Sequence, residues 1–493
     1  MGGRALVVGC CLVLSGCAFW QIQPTPGLDI RSIHAALLPT GKVLLVEGSG
    51  FDAEQFAAGT FRSSIWDPAD NSYSLIPTPY DMFCAGHAFL EDGRLLIAGG
   101  TEDYGDSATG EYYPMGSKHT YLFNPWTETY EAASDMTKGR WYPTVTALED
   151  GRVLAMAGLD ENRLGTNSFE VYDSGTGSWS APVDAAFSLP LYPSMHLLEE
   201  DPANPGDTRL FFSGVNVFGT SSPPGIWDVD TNTFTPVSGL TAADSRNQGA
   251  SVLLPPAQDQ RVMVIGGGLY GTGTSTANVD IIDLDAPTPV YTAGPPISET
   301  KMYVLASILP DRTVLQAGGT DRDVSEPGTV MRYTAQRYDP VTNTWIKMPK
   351  SKVARAYHAE SILLPDGRVA LLGGWYNGVG ETRIETLYPA YTSKTRPVVD
   401  TVPTEIGYGQ PFDITFHHDG FRPINYVEII RPSAATHAMD PDQRLVDLEF
   451  TQVGSTITAT ADFDGYLAPP GWYMLNIVDD RGVPSVSKWV HLT

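Results

Sequence analysis

Four side chains with chemistry of their own share one position in a repeated sequence pattern. Each lies eight residues before the aspartate of a predicted turn: Cys84 before Asp92, Tyr142 before Asp150, Tyr303 before Asp311 and His358 before Asp366. A thiol, two phenols and an imidazole at equivalent positions indicate a metal site, and imidazole with oxygen ligands suits copper(II) best among common ions. Simple aromatic packing is the alternative, and it is favoured for Tyr142 or Tyr303 taken alone.

Tyr357 precedes His358 directly, so the same site could include a further phenol. Neighbouring residues of a regular strand point to opposite faces of the sheet. Tyr357 can therefore join this group only if the backbone bends locally between the two residues.

The element that positions these residues is a pair of short apolar strands joined by a turn and closed by glycine. It reads AALLPTGKVLLVEG at residues 35–48, HAFLEDGRLLIAGG at 87–100 and VTALEDGRVLAMAG at 145–158. Seven closing glycines lie 51 to 59 residues apart: Gly48, Gly99, Gly158, Gly214, Gly267, Gly318 and Gly373. An aromatic–acidic strand such as IWDP at 65–68 follows each copy. Four short strands per repeat are typical of a propeller blade of the kelch type.

The domain organisation predicted from this pattern is all-β. A seven-bladed kelch-type propeller occupies residues 30–392, and the repeat stops after Tyr391. Residues 393–493 contain short alternating strands that predict an immunoglobulin-like β-sandwich. Residues 1–16 are predicted to be a signal peptide and residues 17–29 a tether.

The N-terminus indicates export. Arg4 is followed by an uncharged run of ten residues, which is too short to span a bilayer. The run ends in Leu-Ser-Gly-Cys at residues 14–17, which matches a bacterial lipobox, so Cys17 is predicted to carry lipid. An ordinary secretory signal is the alternative. Either cleavage predicts an extracytoplasmic protein, with the lipobox placing it on the periplasmic or outer face of the cell envelope.

Composition excludes several classes of function. The 493 residues include 31 basic and 57 acidic side chains, a net charge of −26, which argues against nucleic-acid binding because phosphates need a basic surface. Three of the four cysteines (10, 11 and 17) lie in the first seventeen residues, so no disulfide framework is available. Removal of the signal and acylation of Cys17 would leave Cys84 as the one free thiol.

Five further motifs resemble those of the copper radical oxidases, the family of galactose oxidase and glyoxal oxidase. They are DMFC at 81–84, RWYP at 140–143, AYH at 356–358, TH at 436–437 and DQR at 442–444. The segments PPGWYM at 469–474 and GVPS at 482–485 resemble segments near the end of the C-terminal domain in the same family. The resemblance extends from about residue 30 to the C-terminus, and RWYP is closer to glyoxal oxidase.

The resemblance implies one copper ion, held equatorially by Tyr142, His358 and His437 and axially by Tyr357. It also implies a thioether between Cys84 and Tyr142 that carries a radical. His437 would reach the propeller on a loop of the C-terminal domain. The remaining histidines match no ligand position and are interpreted as packing or surface groups: His34, His87, His119, His196, His417, His418 and His491.

The implied reaction is oxidation of a small aldehyde or primary alcohol by O₂, with H₂O₂ as the second product. Tyr357 would accept the hydroxyl proton, and the Tyr142–Cys84 radical would remove a hydrogen atom from the carbinol carbon. A carbohydrate is a further candidate substrate. The protein is expected to be a monomer that touches the membrane through its lipid anchor alone.

This chain departs from galactose oxidase in the segment where that enzyme has a tryptophan over the thioether. Residues 158–161 contain no aromatic side chain, so Trp141 is predicted to take the stacking role. Phe83, Arg246, Gln248 and Tyr303 are further candidates for residues around the substrate. Galactose itself is therefore disfavoured against a small aldehyde or another alcohol.

Two other functions are compatible with a propeller. A non-catalytic kelch module that binds a partner at the cell surface predicts unrelated residues at the five site positions. A hydrolase or lyase that uses an acidic channel predicts paired carboxylates, and none occurs at the equivalent positions of the repeats. The motifs therefore favour the oxidase.

Overall fold

A computed structural model describes residues 17–25, 27–105, 113–219, 222–420 and 422–493. Cys10, Cys11 and residues 14–16 of the predicted lipobox lie outside these ranges. Within the ranges, no helix combines the length and the apolar character needed to cross a bilayer.

Seven antiparallel sheets form the seven blades of a propeller, and six of them follow the chain from the innermost strand outwards. Blade 1 contains His34–Leu37, Val43–Gly48, Arg62–Trp66 and Tyr73–Ile76; blade 2 Ala85–Phe89, Leu95–Gly99, Thr120–Asn124 and Thr129–Ala132; blade 3 Thr144–Ala147, Val153–Met156, Ser168–Asp173, Ser178–Trp179 and the short Val183–Asp184; blade 4 Met195–Leu197, Arg209–Phe212, Gly225–Asp228 and Thr233–Pro236; blade 5 Ala250–Leu253, Arg261–Ile265, Val279–Asp283 and Thr292–Ala293; blade 6 Leu305–Ile308, Val314–Ala317, Gln336–Asp339 and Thr344–Lys347; blade 7 Tyr357–Leu363, Val369–Tyr376, Glu385–Tyr388, Phe19–Ile22 and the short Val379–Gly380. The predicted all-β propeller is confirmed.

The Asp-Gly turns of the repeat explain why the first two strands of a blade pair so regularly. The carboxylate of Asp92 accepts the backbone N–H of Arg94 at 3.0 Å, and Asp150 and Asp366 accept the equivalent N–H groups at the same distance. Gly93 follows with φ of +85°, a left-handed conformation that costs glycine little.

The N-terminal strand closes the ring. Phe19–Ile22 pairs antiparallel with Glu385–Tyr388 and becomes the outermost strand of blade 7. Trp20 is buried, and its Nε1 donates to the carbonyl oxygen of Pro349 at 2.8 Å. The prediction of a tether over residues 17–29 was therefore wrong for these four residues, because their pairing partner lies at the opposite end of the propeller sequence.

Within the part of the chain that the structure describes, the elements outside the blades are short. One helix covers Ala53–Ala57, with the Asp52 side chain accepting the backbone N–H groups of Glu54 and Gln55 at its start. The strands Thr101–Asp103 and Met115–Gly116 pair with each other. Three 3₁₀ turns cover Ala243–Ser245, Ala257–Asp259 and Ala390–Ser393.

The C-terminal domain is the predicted β-sandwich-like unit. Its strands are ordered Val398–Thr401, Pro411–His417, Thr456–Thr460, Leu445–Val453, Ile424–Ile430, Gly471–Asp479, Lys488–Leu492 and Glu405–Ile406. Ala434–Thr436 leaves this domain and pairs antiparallel with the innermost strand of blade 1, with Thr436 opposite His34. The C-terminal domain therefore inserts one strand into the centre of the propeller.

Side chains on both sides of this inserted strand in the sequence hold it against three other blades. Asp442 accepts the hydroxyl of Thr146 at 2.7 Å in blade 3, and Gln443 accepts the backbone N–H of Ile308 at 2.8 Å in blade 6. Arg431 donates to the carbonyl oxygen of Phe89 at 3.2 Å in blade 2. All three side chains are buried, so these bonds fix the position of the insertion.

The Gln443→Ala variant is expected to lower the free energy of unfolding by about 1–3 kcal/mol, because it leaves the buried N–H of Ile308 without an acceptor. Urea unfolding followed by tryptophan fluorescence measures the change. Gln410→Ala removes the same side chain from the surface and is expected to stay within about 0.5 kcal/mol of the parent. Equal stability of the two variants would contradict the anchoring role.

Candidate metal centre

The four residues placed at one position of the repeat share an uncommon backbone conformation. Cys84, Tyr142, Tyr303 and His358 have φ of +61°, +68°, +57° and +62°, at the start of the innermost strands of blades 2, 3, 6 and 7. Left-handed backbone is rare for residues with a side chain and costs roughly 1–3 kcal/mol each. Its recurrence in four blades shows that the turn into the first strand is built the same way each time.

A backbone hydrogen bond brings the thiol and the first phenol together. The N–H of Tyr142 donates to the carbonyl oxygen of Cys84 at 2.9 Å, which joins the entries of blades 2 and 3 side by side. Both side chains are buried. Residues 58 positions apart in the sequence are thereby held as direct neighbours.

The left-handed backbone at His358 supplies the local bend that Tyr357 requires. The two rings stack with centroids 3.8 Å apart instead of pointing to opposite faces. The hydroxyl of Tyr357 is hydrogen-bonded to the hydroxyl of Tyr142. The second phenol thus joins the group.

His437 reaches the group from the end of the inserted strand. Its Nε2 lies 3.2 Å from the hydroxyl of Tyr142 and 3.8 Å from Sγ of Cys84. The hydroxyl of Thr436 donates to the carbonyl oxygen of Ile33 at 3.0 Å and lies 2.7 Å from Nδ1 of His437. Because that hydroxyl has one proton, Nδ1 carries the imidazole proton and donates it, and Nε2 keeps a free lone pair.

These side chains form a donor set that fits copper(II). One ligand atom from each of Cys84, His358 and His437 lies within 4.8 Å of the others. Neither ring nitrogen of His358 has a hydrogen-bond partner among the described residues. Burial lowers the pKa of His358 and His437 well below the usual range, so both rings are neutral and able to ligate. Two imidazoles and two phenol oxygens are donors that copper(II) prefers.

A cavity of about 350 Å³ opens beside this centre. Tyr142, Tyr357 and His358 form part of its wall, together with the predicted Phe83, Trp141 and Tyr303. Substrate could therefore reach the centre from solvent through this cavity.

Trp141 contacts Tyr142 but does not stack on it. The ring centroids are 4.0 Å apart and the ring planes are inclined by 58°. The two residues are adjacent in sequence, and their backbone is held on both sides, with Trp141 paired to Leu159 and Tyr142 bonded to Cys84. The expectation of a tryptophan stacked over the thiol–phenol pair is therefore not met by the geometry of Trp141.

Arg246 and Gln248 do not line the cavity, contrary to their prediction as residues around the substrate. The buried guanidinium of Arg246 donates to the carbonyl oxygen of Gly266 at 2.8 Å and forms an ion pair with Asp280 inside blade 5. Gln248 donates to the carbonyl oxygen of Val217 at 3.2 Å. Both side chains are used to hold loops together.

Blades 3 and 7 contain an arginine at the equivalent position, and it has the same structural role there. Arg140 donates to the carbonyl oxygen of Ala157 at 2.9 Å, and Arg355 donates to that of Gly373 at 2.6 Å. Each arginine lies two or three residues before the left-handed residue of its blade. The recurrence of an arginine at this spacing in the sequence indicates that Arg246 has a structural role.

Tyr192 was missed by the sequence reasoning. It is the left-handed residue of blade 4, with φ of +49°, and its ring lies 4.7 Å from that of Tyr142 and 4.8 Å from that of His437. Its hydroxyl donates to the carbonyl oxygen of Ala85 at 2.5 Å. Glu200, and not an aspartate, stands eight residues later, so a count that accepted either acid would have found it.

Comparisons with known proteins agree with these observations. Residues 396–492 match the family described as galactose oxidase-like, early set domain. The chain is 25% identical over 501 aligned residues to a galactose oxidase of Gibberella zeae, covering 95% of this chain and 70% of the relative. It is 26% identical over 536 residues to the aldehyde oxidase GLOX of Vitis pseudoreticulata, covering 96% and 97%.

A solved structure has the same fold. It is a fungal alcohol oxidase of the AA5 family in complex with copper, with a TM-score of 0.77, 23% identity and coverage of 96% of this chain and 99% of that one. The present chain is thus similar to a galactose oxidase and to a GLOX aldehyde oxidase over most of its length, and its predicted resemblance to the copper radical oxidases is confirmed.

Proposed function

We propose that this protein oxidises a small aldehyde or primary alcohol with O₂ and releases H₂O₂. The observation that carries the proposal is the convergence of Cys84, Tyr142, Tyr357, His358 and His437 on one centre, of which Tyr142, Tyr357 and His358 line one cavity. For an alcohol the balance is RCH₂OH + O₂ → RCHO + H₂O₂.

Tyr142, Tyr357, His358 and His437 would hold one copper ion. Copper(II) bound there would supply a one-electron oxidant and a Lewis acid for the substrate oxygen. The bond from Nδ1 of His437 to the hydroxyl of Thr436 keeps the Nε2 lone pair directed at the centre.

Tyr357, held as a phenolate by bound copper(II), is proposed to receive the hydroxyl proton of the substrate. Its side chain lies on the cavity wall, and its hydroxyl is hydrogen-bonded to that of Tyr142. A proton taken by the Tyr357 oxygen therefore stays within the site, next to the second phenol.

Cys84 and Tyr142 are proposed to form a thioether, with Sγ bonded to a ring carbon next to the hydroxyl. Formation of the bond removes one hydrogen from the thiol and one from the ring, and O₂ would accept both as H₂O₂. The backbone bond between the two residues supports this pairing, since it fixes them as neighbours before any reaction. The cross-linked ring would hold the radical that removes hydrogen from the carbinol carbon.

The protein is further proposed to be an exported lipoprotein, monomeric and anchored through Cys17. Cys17 is an exposed free cysteine, two residues before the closing strand Phe19–Ile22. A lipid on Cys17 would therefore hold the edge of blade 7 close to the membrane of the cell envelope.

Treatment of the purified protein with copper and O₂ is expected to lower its intact mass by two hydrogens, because the thioether forms. Mass spectrometry of the denatured protein measures the loss. The Cys84→Ser variant should show no loss of mass, whereas Cys17→Ser should lose two hydrogens like the parent. An unchanged parent mass, together with no peroxide from any aldehyde or alcohol, would reject the proposed function.

The His437→Ala variant is expected to bind copper more weakly, because it lacks a proposed direct ligand. The loss of affinity should exceed the roughly 10–100-fold loss that follows removal of a residue that only bonds to a ligand. Equilibrium dialysis with metal analysis measures the affinity, and circular dichroism checks that the propeller remains folded. His417→Ala is the control, since His417 is exposed and bonded to Asp400. Full copper content in His437→Ala would refute the ligand set.

Incorporation of radiolabelled palmitate in cells tests the anchor. The parent chain is expected to be labelled and the Cys17→Ala variant to remain unlabelled, because the acylated thiol is absent. Equal label in both proteins would exclude lipidation at Cys17.

A further inference from the structure

Aromatic rings form most of the wall of the cavity beside the candidate centre. Sixteen described residues line it, and ten of these are Phe, Tyr or Trp. Half of those that are not part of the centre come from loops after the second strand of a blade: Phe51 in blade 1, Tyr113 in blade 2, Phe218 in blade 4 and Tyr270 in blade 5. Four separate blades thus contribute to one apolar surface.

The rings make contact in pairs and remain open to solvent at the rim. Phe218 and Tyr270 have centroids 4.4 Å apart, and those of Phe51 and Phe83 are 5.6 Å apart. Phe51, Tyr113 and Tyr270 are 52%, 49% and 40% exposed. Large aromatic side chains exposed together at a cavity are typical of a binding site for an apolar group.

Among the described residues, the charged groups Asp323 and Arg31 at the cavity already form hydrogen bonds within the protein. The carboxylate of Asp323 accepts the hydroxyl of Tyr303 at 3.1 Å and both the N–H and the hydroxyl of Ser325, at 2.8 and 2.6 Å. Nη2 of Arg31 donates to the carbonyl oxygen of Gly50 at 2.5 Å. A sugar bound here would lose the hydrogen bonds that several of its hydroxyls make to water. It would find few protein partners to replace them, which weakens its binding.

Trp141 carries a hydrogen-bond donor that the protein does not use. The side chain lies on the cavity wall and is 3% exposed, and its Nε1 has no acceptor among the described residues. A buried indole N–H usually has a partner. One oxygen atom of a bound molecule is enough to accept this N–H, so the cavity does not require a ligand with many polar groups.

We propose that the substrate is an aromatic primary alcohol, oxidised as ArCH₂OH + O₂ → ArCHO + H₂O₂. This inference rests on the proposed function and names the substrate class of the same site. Apolar cavities of about 150 Å³ bind benzene, so a cavity of about 350 Å³ accommodates a ring with its CH₂OH group and a further substituent. The ring packs among Phe51, Phe218 and Tyr270, with the hydroxyl directed to Tyr142 and Tyr357.

The first test measures peroxide from the full copper-loaded chain with benzyl alcohol, cyclohexylmethanol, galactose and glyoxal. Benzyl alcohol is expected to exceed galactose by roughly tenfold or more in kcat/KM, with cyclohexylmethanol below benzyl alcohol because it lacks the aromatic ring. The Tyr270→Ala variant should raise KM for benzyl alcohol by about 2- to 10-fold. Trp126→Ala is the matched control, since Trp126 is also an exposed aromatic residue but packs on Trp472 outside the cavity.

The second test needs no turnover. Isothermal titration of copper-free protein with benzyl alcohol is expected to show binding that Tyr270→Ala weakens and Trp126→Ala retains. Higher kcat/KM with galactose or glyoxal than with benzyl alcohol overturns the aromatic substrate and leaves the oxidase intact. Absence of peroxide from every substrate overturns the oxidase instead, and the titration then decides: binding that depends on Tyr270 supports the aromatic site, and no binding refutes it.

Discussion

Antiparallel pairing between Ala434–Thr436 and the innermost strand of blade 1 is the interaction on which the candidate centre depends. The last residue of that strand, Thr436, bonds both to the carbonyl oxygen of Ile33 and to the ring of His437. The strand therefore sets the depth of His437 and the tautomer of its ring together. Because the insertion is also bonded to three other blades, His437 lies within a rigid frame although it belongs to another domain.

The second constraint is the left-handed backbone at the entry to the innermost strands. In an antiparallel pair, the start of the first strand and the end of the second lie at the same end. Entry residues such as Cys84 and Tyr142 and loop residues such as Phe218 and Tyr270 therefore meet at one end of the propeller. Buried hydrogen bonds offset the cost of this backbone, and the arginine before the bend provides several of them in blades 3, 5 and 7.

Sequence reasoning reached much of this because a repeat allows residues to be compared by position. The Asp-Gly turn recurs with a constant carboxylate-to-N–H bond, so a count from Asp92, Asp150 or Asp366 identified the entry residues correctly. The count failed at Tyr192, where the turn of blade 4 has a different sequence. Arg246 was misread separately, because an arginine near the site was taken for a substrate residue. The arginines at equivalent positions of blades 3 and 5 instead form hydrogen bonds and ion pairs inside the protein.

The sequence by itself determined the architecture and which side chains are available for chemistry, since the spacing of glycines, turns and entry residues is local information. Only the tertiary structure decided that Phe19–Ile22 closes blade 7, that Trp141 is tilted against Tyr142, and that aromatic loops of separate blades wall one cavity. The closure of blade 7 and the aromatic wall depend on contacts between residues far apart in the sequence, and the tilt of Trp141 depends on the backbone pairing of Trp141 with Leu159 and of Tyr142 with Cys84. Their energies come from burial and packing that no local pattern records.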